Sequence, residues 1–137
     1  MKKKSTKQLG QIASLSVQLE ATRRNYIVSI PNTEERYDFI IDDGKKISRV
    51  QVKSLEKLHS DVKHHKSLAF DLKIYRYHRN RRTQKVYSSK EIDLLLVYMP
   101  TLNVILAFGP KTFHKKKSIY ITVSNPKSKW YYKNFLW

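Results

Sequence analysis

The chain has 137 residues, of which 28 are Lys or Arg and 11 are Asp or Glu, so its formal charge is +17 and its pI lies near 10.1. A charge of that size points to a polyanionic partner, while 40% apolar and 12% aromatic residues suffice for a packed core and exclude a disordered basic tail. With no cysteine, disulfide scaffolds, thiolate zinc sites and thiol nucleophiles are excluded together.

The basic start MKKKSTKQLGQIASL is followed by no apolar run of signal-peptide length, and the longest such run, LLLVYM at 94–99, is far shorter than the ~20 residues of a spanning helix. An intracellular protein with no membrane segment is expected. Its Lys-, Ile- and Asn-rich composition suits a bacterial cytoplasm or an organelle, plastid or mitochondrion.

Residues 1–8 read as a basic extension and 9–137 as a single domain. In residues 9–24, Ile12, Leu15 and Leu19 fall at helical spacing, Ala13 and Val17 widen the stripe, and Arg23 and Arg24 suit the C-terminal end. NYIVSIPNT is a short strand ending at Pro31, before a loop with Glu34 and Glu35. In RYDFIIDDGKKISRVQVKS, residues 36–54, two alternating runs flank Asp43-Gly44 and predict a hairpin. With those two residues as the turn, Asp38 faces Arg49, Ile40 faces Ile47 and Tyr37 faces Val50. Tyr37, Phe39, Ile41, Ser48, Val50 and Val52 then share the core face. Asp38, Ile40, Ile47, Arg49, Gln51 and Lys53 take the other, which the two isoleucines mark as partly covered. Asp38 and Gln51 become diagonal neighbours within reach of one small ligand.

A polar stretch with His64 and His65 follows; the two histidines suit phosphate contact or exposure better than a metal site. SLAFDLKIYRYH reads as one strand and RNRRTQKVYSS as a basic loop. Residues 92–108 give two apolar strands about Pro100–Asn103, KTFHKKK a turn, and IYITV at 119–123 a strand. Asn125 and Pro126 open a final helix that carries Trp130, Tyr131 and Phe135 as packing residues, with Trp137 exposed or against a partner subunit. Helix, strands, helix indicates one α/β or α+β domain.

Asp38 on one strand and Gln51-Val52-Lys53 on its partner resemble the PD-(D/E)xK nuclease signature, with Tyr37 in the place of Pro and Gln51 in the second acidic place. A carboxylate, a second oxygen ligand and a backbone carbonyl suit a hard cation, and a nearby ammonium supports the anion that develops at an attacked phosphate. The fuller string, together with YSSKEIDLLLVY at 87–98, resembles the group I intron-encoded homing endonucleases of the restriction-endonuclease fold. Spanning roughly residues 9–108, that resemblance implies an α/β, restriction-endonuclease-like core, a mixed β-sheet flanked by helices. It also implies a Mg²⁺-dependent double-strand DNA endonuclease that acts at intron-insertion sites as a homo-oligomer, dimer or tetramer. Asp38 and Gln51 would be its metal ligands, and Lys53 would position the attacking water.

The family's first helix usually carries a Glu shortly after its Gly, where this chain has Gln11, Ala13 and Ser14. Glu20 is the nearest helical acid and is the candidate catalytic replacement, with Glu34 and Glu35 beside it. A slow enzyme, or a degenerate one that binds DNA or RNA without cutting, is the alternative, as is a Holliday-junction resolvase. On spacing alone Asp38 could instead form a strand-face salt bridge with Arg49, Asp42 and Asp43 serve the turn, and Asp93 serve as a cap. In KIYRYHRNRRTQK, residues 73–85, Lys73, Tyr75, Arg76, Arg79, Arg81, Arg82 and Lys85 are the candidate DNA contacts. If a strand runs into a loop there, Lys73, Tyr75, Tyr77 and Arg79 share a face. The lysines at 2–4 and 115–117 add sequence-independent attraction that salt should weaken.

Overall fold

Ser5 starts the first helix: its hydroxyl accepts the Gln8 amide, and the Gln8 side chain accepts the Ser5 amide in return, a capping box. In the computed structural model, which describes residues 2–56 and 67–137, this helix (α1) spans Thr6–Arg23, starting ahead of the residue 9 expected. Its buried face is Ala13, Val17 and Ala21, whereas Leu15 and Leu19 are 56% and 53% exposed. Of the expected stripe, Ala13 and Val17 are buried and Ile12 is half-buried, while Leu15 and Leu19 are corrected. Small residues at four-residue spacing let the helix lie close to a sheet whose own bulk, Phe39, Ile41 and Leu96, fills the interface.

That sheet contains β1 (Ile27–Ser29), β2 (Phe39–Asp42), β3 (Ile47–Ser54), β7 (Leu94–Met99) and β8 (Val104–Phe108) in the order β1-β2-β3-β7-β8. It is mixed, since β3 and β7 are parallel and the other pairs antiparallel. β7 is apolar throughout because it is covered on both sides. Leu95, Val97 and Met99 enter the larger core, and Leu96 faces α1.

The other face of the sheet is covered by a two-stranded layer, β4 (Ser67–Asp71) with β9 (Ser118–Thr122), and by a short helix α2 (Pro110–Phe113) that buries Phe113. The fold is therefore α/β, with one helical and one mainly stranded cover over the mixed sheet.

Three expectations are corrected. SLAFDLKIYRYH is not one strand: the Asp71 carboxylate takes the Lys73 amide at 2.8 Å, and the chain turns between β4 and β5 (Ile74–His78). The basic loop is largely a strand, β6 (Arg81–Lys85), antiparallel to β5 in a separate two-stranded sheet. The turn residues Arg79 and Asn80 both have positive φ, 45° and 64°, as a two-residue hairpin turn requires. The final aromatic helix is reduced to a 3₁₀ turn at Tyr132–Phe135. Side chains of Asn125 and Ser128 capture the amides of Lys127 and Trp130, which competes with helix formation. Trp130 O then receives the Thr122 amide and Trp137 N donates to Ile105 O, drawing this segment along β9 and β8.

Candidate active site

The hairpin loop is longer than two residues. Asp43 accepts the amides of Lys45 and Lys46 at 2.8 and 2.9 Å, Asp42 accepts that of Gly44 at 2.9 Å, and Gly44 has φ 82°. The strands therefore pair Phe39 with Val50 and Ile40 with Arg49. Compared with the expected register this is a two-residue slip, which keeps each side chain on its face but changes its partner. Phe39, Ile41, Ser48, Val50 and Val52 are buried towards α1 as expected. Tyr37 instead packs on the larger core, and Ile47 is 69% exposed, so it covers nothing.

Continuing that register, Asp38 stands across from Gln51 rather than diagonal to it. Asp38 Oδ2 accepts the Gln51 Nε2 amide at 2.7 Å and the Val52 backbone N–H at 2.8 Å, while Asp38 N donates to Val50 O. Gln51 Nε2 also donates to the Val52 carbonyl, 3.2 Å away. Burial raises the Asp38 pKa above the ordinary 3.8, against the Val52 amide and the nearby Lys53. Burial likewise lowers Lys53 below 10.5, opposed by Asp71 and Asp38 and assisted by Arg36. Burial thus works against the charged form of both residues, which a solvated sheet face would not do.

Arg49 does not pair with Asp38. Its amide and guanidinium engage Asp93 through contacts of 2.8 to 2.9 Å, and the Asp93 amide returns a bond to Arg49 O. The pair clasps β3 to the start of β7, setting the parallel register in which Lys53 stands beside Val97. Asp93→Ala should lower stability by about 1–2 kcal/mol, read from a urea midpoint, because the Arg49 amide loses its acceptor; the partly exposed ion pair itself adds little.

Glu20 is not brought to this group. It pairs with Arg24 at 2.9 Å and lines a cleft of about 480 Å³ with Tyr98 and Trp137. Lys53 lines a different cleft, about 510 Å³, with Gly10, Glu56 and Asp71. Ten helical residues separate Gly10 from Glu20, roughly 15 Å along α1. Glu35 accepts the Thr33 hydroxyl, and Glu34 is exposed. Of the proposed DNA contacts, Arg79, Arg81, Arg82 and Lys85 are exposed on the β5–β6 ribbon and Lys73 lies at its base. The side chains of Tyr75, Arg76 and Tyr77, and residues His64 and His65, lie outside the described residues.

Three residues that sequence reading did not place in the site, Arg36, Asp71 and Tyr87, lie about Lys53, and Glu91 holds the first of them. Arg36 pairs with Glu91 at 3.2 Å, and its guanidinium lies 5.4 Å from the centroid of the buried Tyr87 ring. Lys53 Nζ lies 5.5 Å from the same centroid, and Asp71 borders the cleft from β4. Arg36 directly precedes the Tyr37-Asp38 pair and Tyr87 opens the string YSSKEID, so both stood in motif segments, but no spacing rule joins them.

The donor atoms suit a hard divalent cation. Gln51 Nε2 sits between Asp38 Oδ2 and the Val52 carbonyl, and turning the amide over replaces that nitrogen with a third oxygen. Among the described residues no group of three or more His, Cys, Asp or Glu gathers to hold a metal, and Asp38 is the carboxylate that meets the Gln51 side chain and the Val52 amide.

This arrangement, an acid in the bend just before β2 and a Gln-x-Lys element on the adjoining strand of a mixed sheet under a helix, is that of a nuclease. The model of the PD-(D/E)XK endonuclease family matches residues 4–134, and the chain belongs to that family of hydrolases, which generally use divalent metal ions. Its fold is similar to that of a bacterial homing endonuclease, I-Ssp6803I, with a TM-score of 0.78 and 20% identity over 97% of this chain and 89% of that one. It is also similar to Hjc, a Holliday junction resolvase of Archaeoglobus fulgidus, with a TM-score of 0.50 and 10% identity over 84% of each chain. No curated protein matches the chain in sequence. Among the described residues no helix is long and apolar enough to cross a membrane.

Proposed function

We propose that the chain is a Mg²⁺-dependent, site-specific double-strand DNA endonuclease of the intron-homing kind, acting as a homo-oligomer. The observation that carries this reading is the convergence of Asp38, Gln51, the Val52 carbonyl and Lys53 on one sheet face. Asp38, the Val52 carbonyl and Gln51, with its amide turned over, would hold Mg²⁺, which tolerates few protein ligands because it keeps much of its water. When bound, the cation neutralises phosphate charge and makes water a better nucleophile. Lys53 orients the attacking water and balances the negative charge that grows on the phosphate. The basic surface draws in the duplex, and two or four copies of so small a site allow both strands to be cut. Linear duplex and four-way junction substrates test the reading. Mg²⁺-dependent double-strand cuts at a defined duplex sequence support homing, and preference for the junction assigns a resolvase instead. That no group of three or more such ligands gathers among the described residues favours a second reading, a chain that binds DNA without cutting, which tight binding with no cleavage at any Mg²⁺ concentration would establish.

The role of Lys53 carries a pH dependence. It acts only as the ammonium, and burial lowers its pKa from 10.5, so cleavage should decline on the alkaline side before an ordinary lysine would titrate. Rates measured against pH at saturating Mg²⁺ check this. A rate still rising through pH 10.5 would contradict it.

A further inference from the structure

We infer that Tyr87 is a positioning residue for the cleavage reaction, its ring holding the Lys53 ammonium in place beside Asp38 by cation–π attraction. The inference rests on the nuclease reading but on separate geometry. Lys53 Nζ stands 5.5 Å from the ring centroid, inside the ~6 Å over which a cation is drawn to an aromatic face. Among the described residues no ion pair forms at that ammonium, so the carboxylates of Asp38 and Asp71 supply attraction without direct contact. A lysine stem left free has many rotamers open to it, and an ammonium that wanders cannot orient a water molecule.

The ring is suited to the task because it is packed in the core. Tyr87 is 2% exposed within the larger core, and its carbonyl receives the Lys115 amide at 2.9 Å. A second cation, the Arg36 guanidinium, lies 5.4 Å from the same centroid. Glu91 ties it down at 3.2 Å and the Val86 carbonyl at 3.3 Å. Arg36 therefore keeps part of the ring occupied, and like-charge repulsion confines Lys53 to what remains, near the carboxylates. The phenol hydroxyl plays no part in this scheme. What matters is the electron-rich face.

Two measurements test it. The first compares Tyr87→Phe with replacement of Tyr87 by pentafluorophenylalanine, which keeps the ring's shape and reverses its charge distribution. Fluorination is expected to lower kcat by about five- to thirtyfold relative to Tyr87→Phe, with KM for DNA and the thermal midpoint unmoved. Equal kcat for the two rings would overturn the inference. The second is the Lys53 Hε resonance of the metal-free native chain, assigned by its loss in Lys53→Met, which should be displaced upfield by the ring and return to the ordinary lysine position in Tyr87→Leu. An ordinary native Lys53 resonance would overturn the inference whether or not Tyr87→Leu folds. Because this resonance is read without substrate, absence of cleavage by the native chain would count against the nuclease reading and leave the ring contact to be decided separately.

Discussion

Asp38→Asn and Lys53→Met should each lower DNA cleavage by about a thousandfold or more while leaving the chain at least as stable as the native one and still able to bind DNA. The loss of rate follows from their roles. Asp38 is the carboxylate of the proposed cation site, and Lys53 is the cation proposed to face the developing phosphate charge. The stability result separates this account from a structural one. The Asp38 pKa is raised in the folded chain, so between 3.8 and that raised value the folded state binds more protons than the unfolded state, and stability falls as pH rises. Above the raised value the whole penalty is present, and Asn removes it while its oxygen keeps the Val52 amide as a partner. Lys53 is lowered in spite of attraction by Asp71 and Asp38, so its ammonium is also a net cost at neutral pH, relieved only as pH climbs from the lowered value towards 10.5. Thermal midpoints at neutral pH in the presence of EDTA, measured beside cleavage rates, check both halves. A residue that served only packing would lose stability when replaced.

Replacing Arg79, Arg81 and Lys85 together by Gln should weaken DNA binding roughly a hundredfold at physiological salt, and each lost phosphate contact should lower the salt slope by about one. All of β6 is exposed, and among the described residues the ribbon that it forms with β5 is joined to no other sheet. A two-stranded ribbon is marginal alone and fits the width of a major groove, so its exposed basic residues are best explained by a nucleic-acid partner. Binding isotherms at several salt concentrations measure the effect. If the slope is unchanged, the lysines at 2–4 and 115–117 carry the attraction instead.

The parts legible in the sequence are those set by short-range pattern. Alternation assigns the correct faces to Phe39, Ile41, Val50 and Val52, and the spacing of Asp38 from Gln51-Val52-Lys53 is enough to bring them together, although Asp38 lies in the bend before β2 and not on the strand expected. The turn was read two residues too short because Asp43 uses its carboxylate to cap the amides of Lys45 and Lys46 and lengthens the loop. Because the slip is even, the faces survived it and the partners did not. Helical spacing places Leu15 and Leu19 beside Ala13 and Val17 on the stripe, but a close helix–sheet contact selects small side chains, so Ala13, Val17 and Ala21 are buried and the two leucines are not. Tyr87 and the Arg36–Glu91 pair are out of reach for another reason. The crossover from β3 to β7 brings Tyr87 to Lys53 and Glu91 to Arg36, and contacts closed by tertiary structure leave no periodic trace.

The central claim is that one carboxylate, one amide and one lysine make this basic chain a cutting enzyme. The most direct test is to incubate supercoiled plasmids carrying fragments of genomic DNA with the native chain and with Asp38→Asn, in Mg²⁺ and in EDTA, and to sequence the ends produced. The account predicts linear product with ends at one recurrent sequence, from the native chain in Mg²⁺ alone. Binding without Mg²⁺-dependent cutting, or equal cutting by Asp38→Asn, would contradict it.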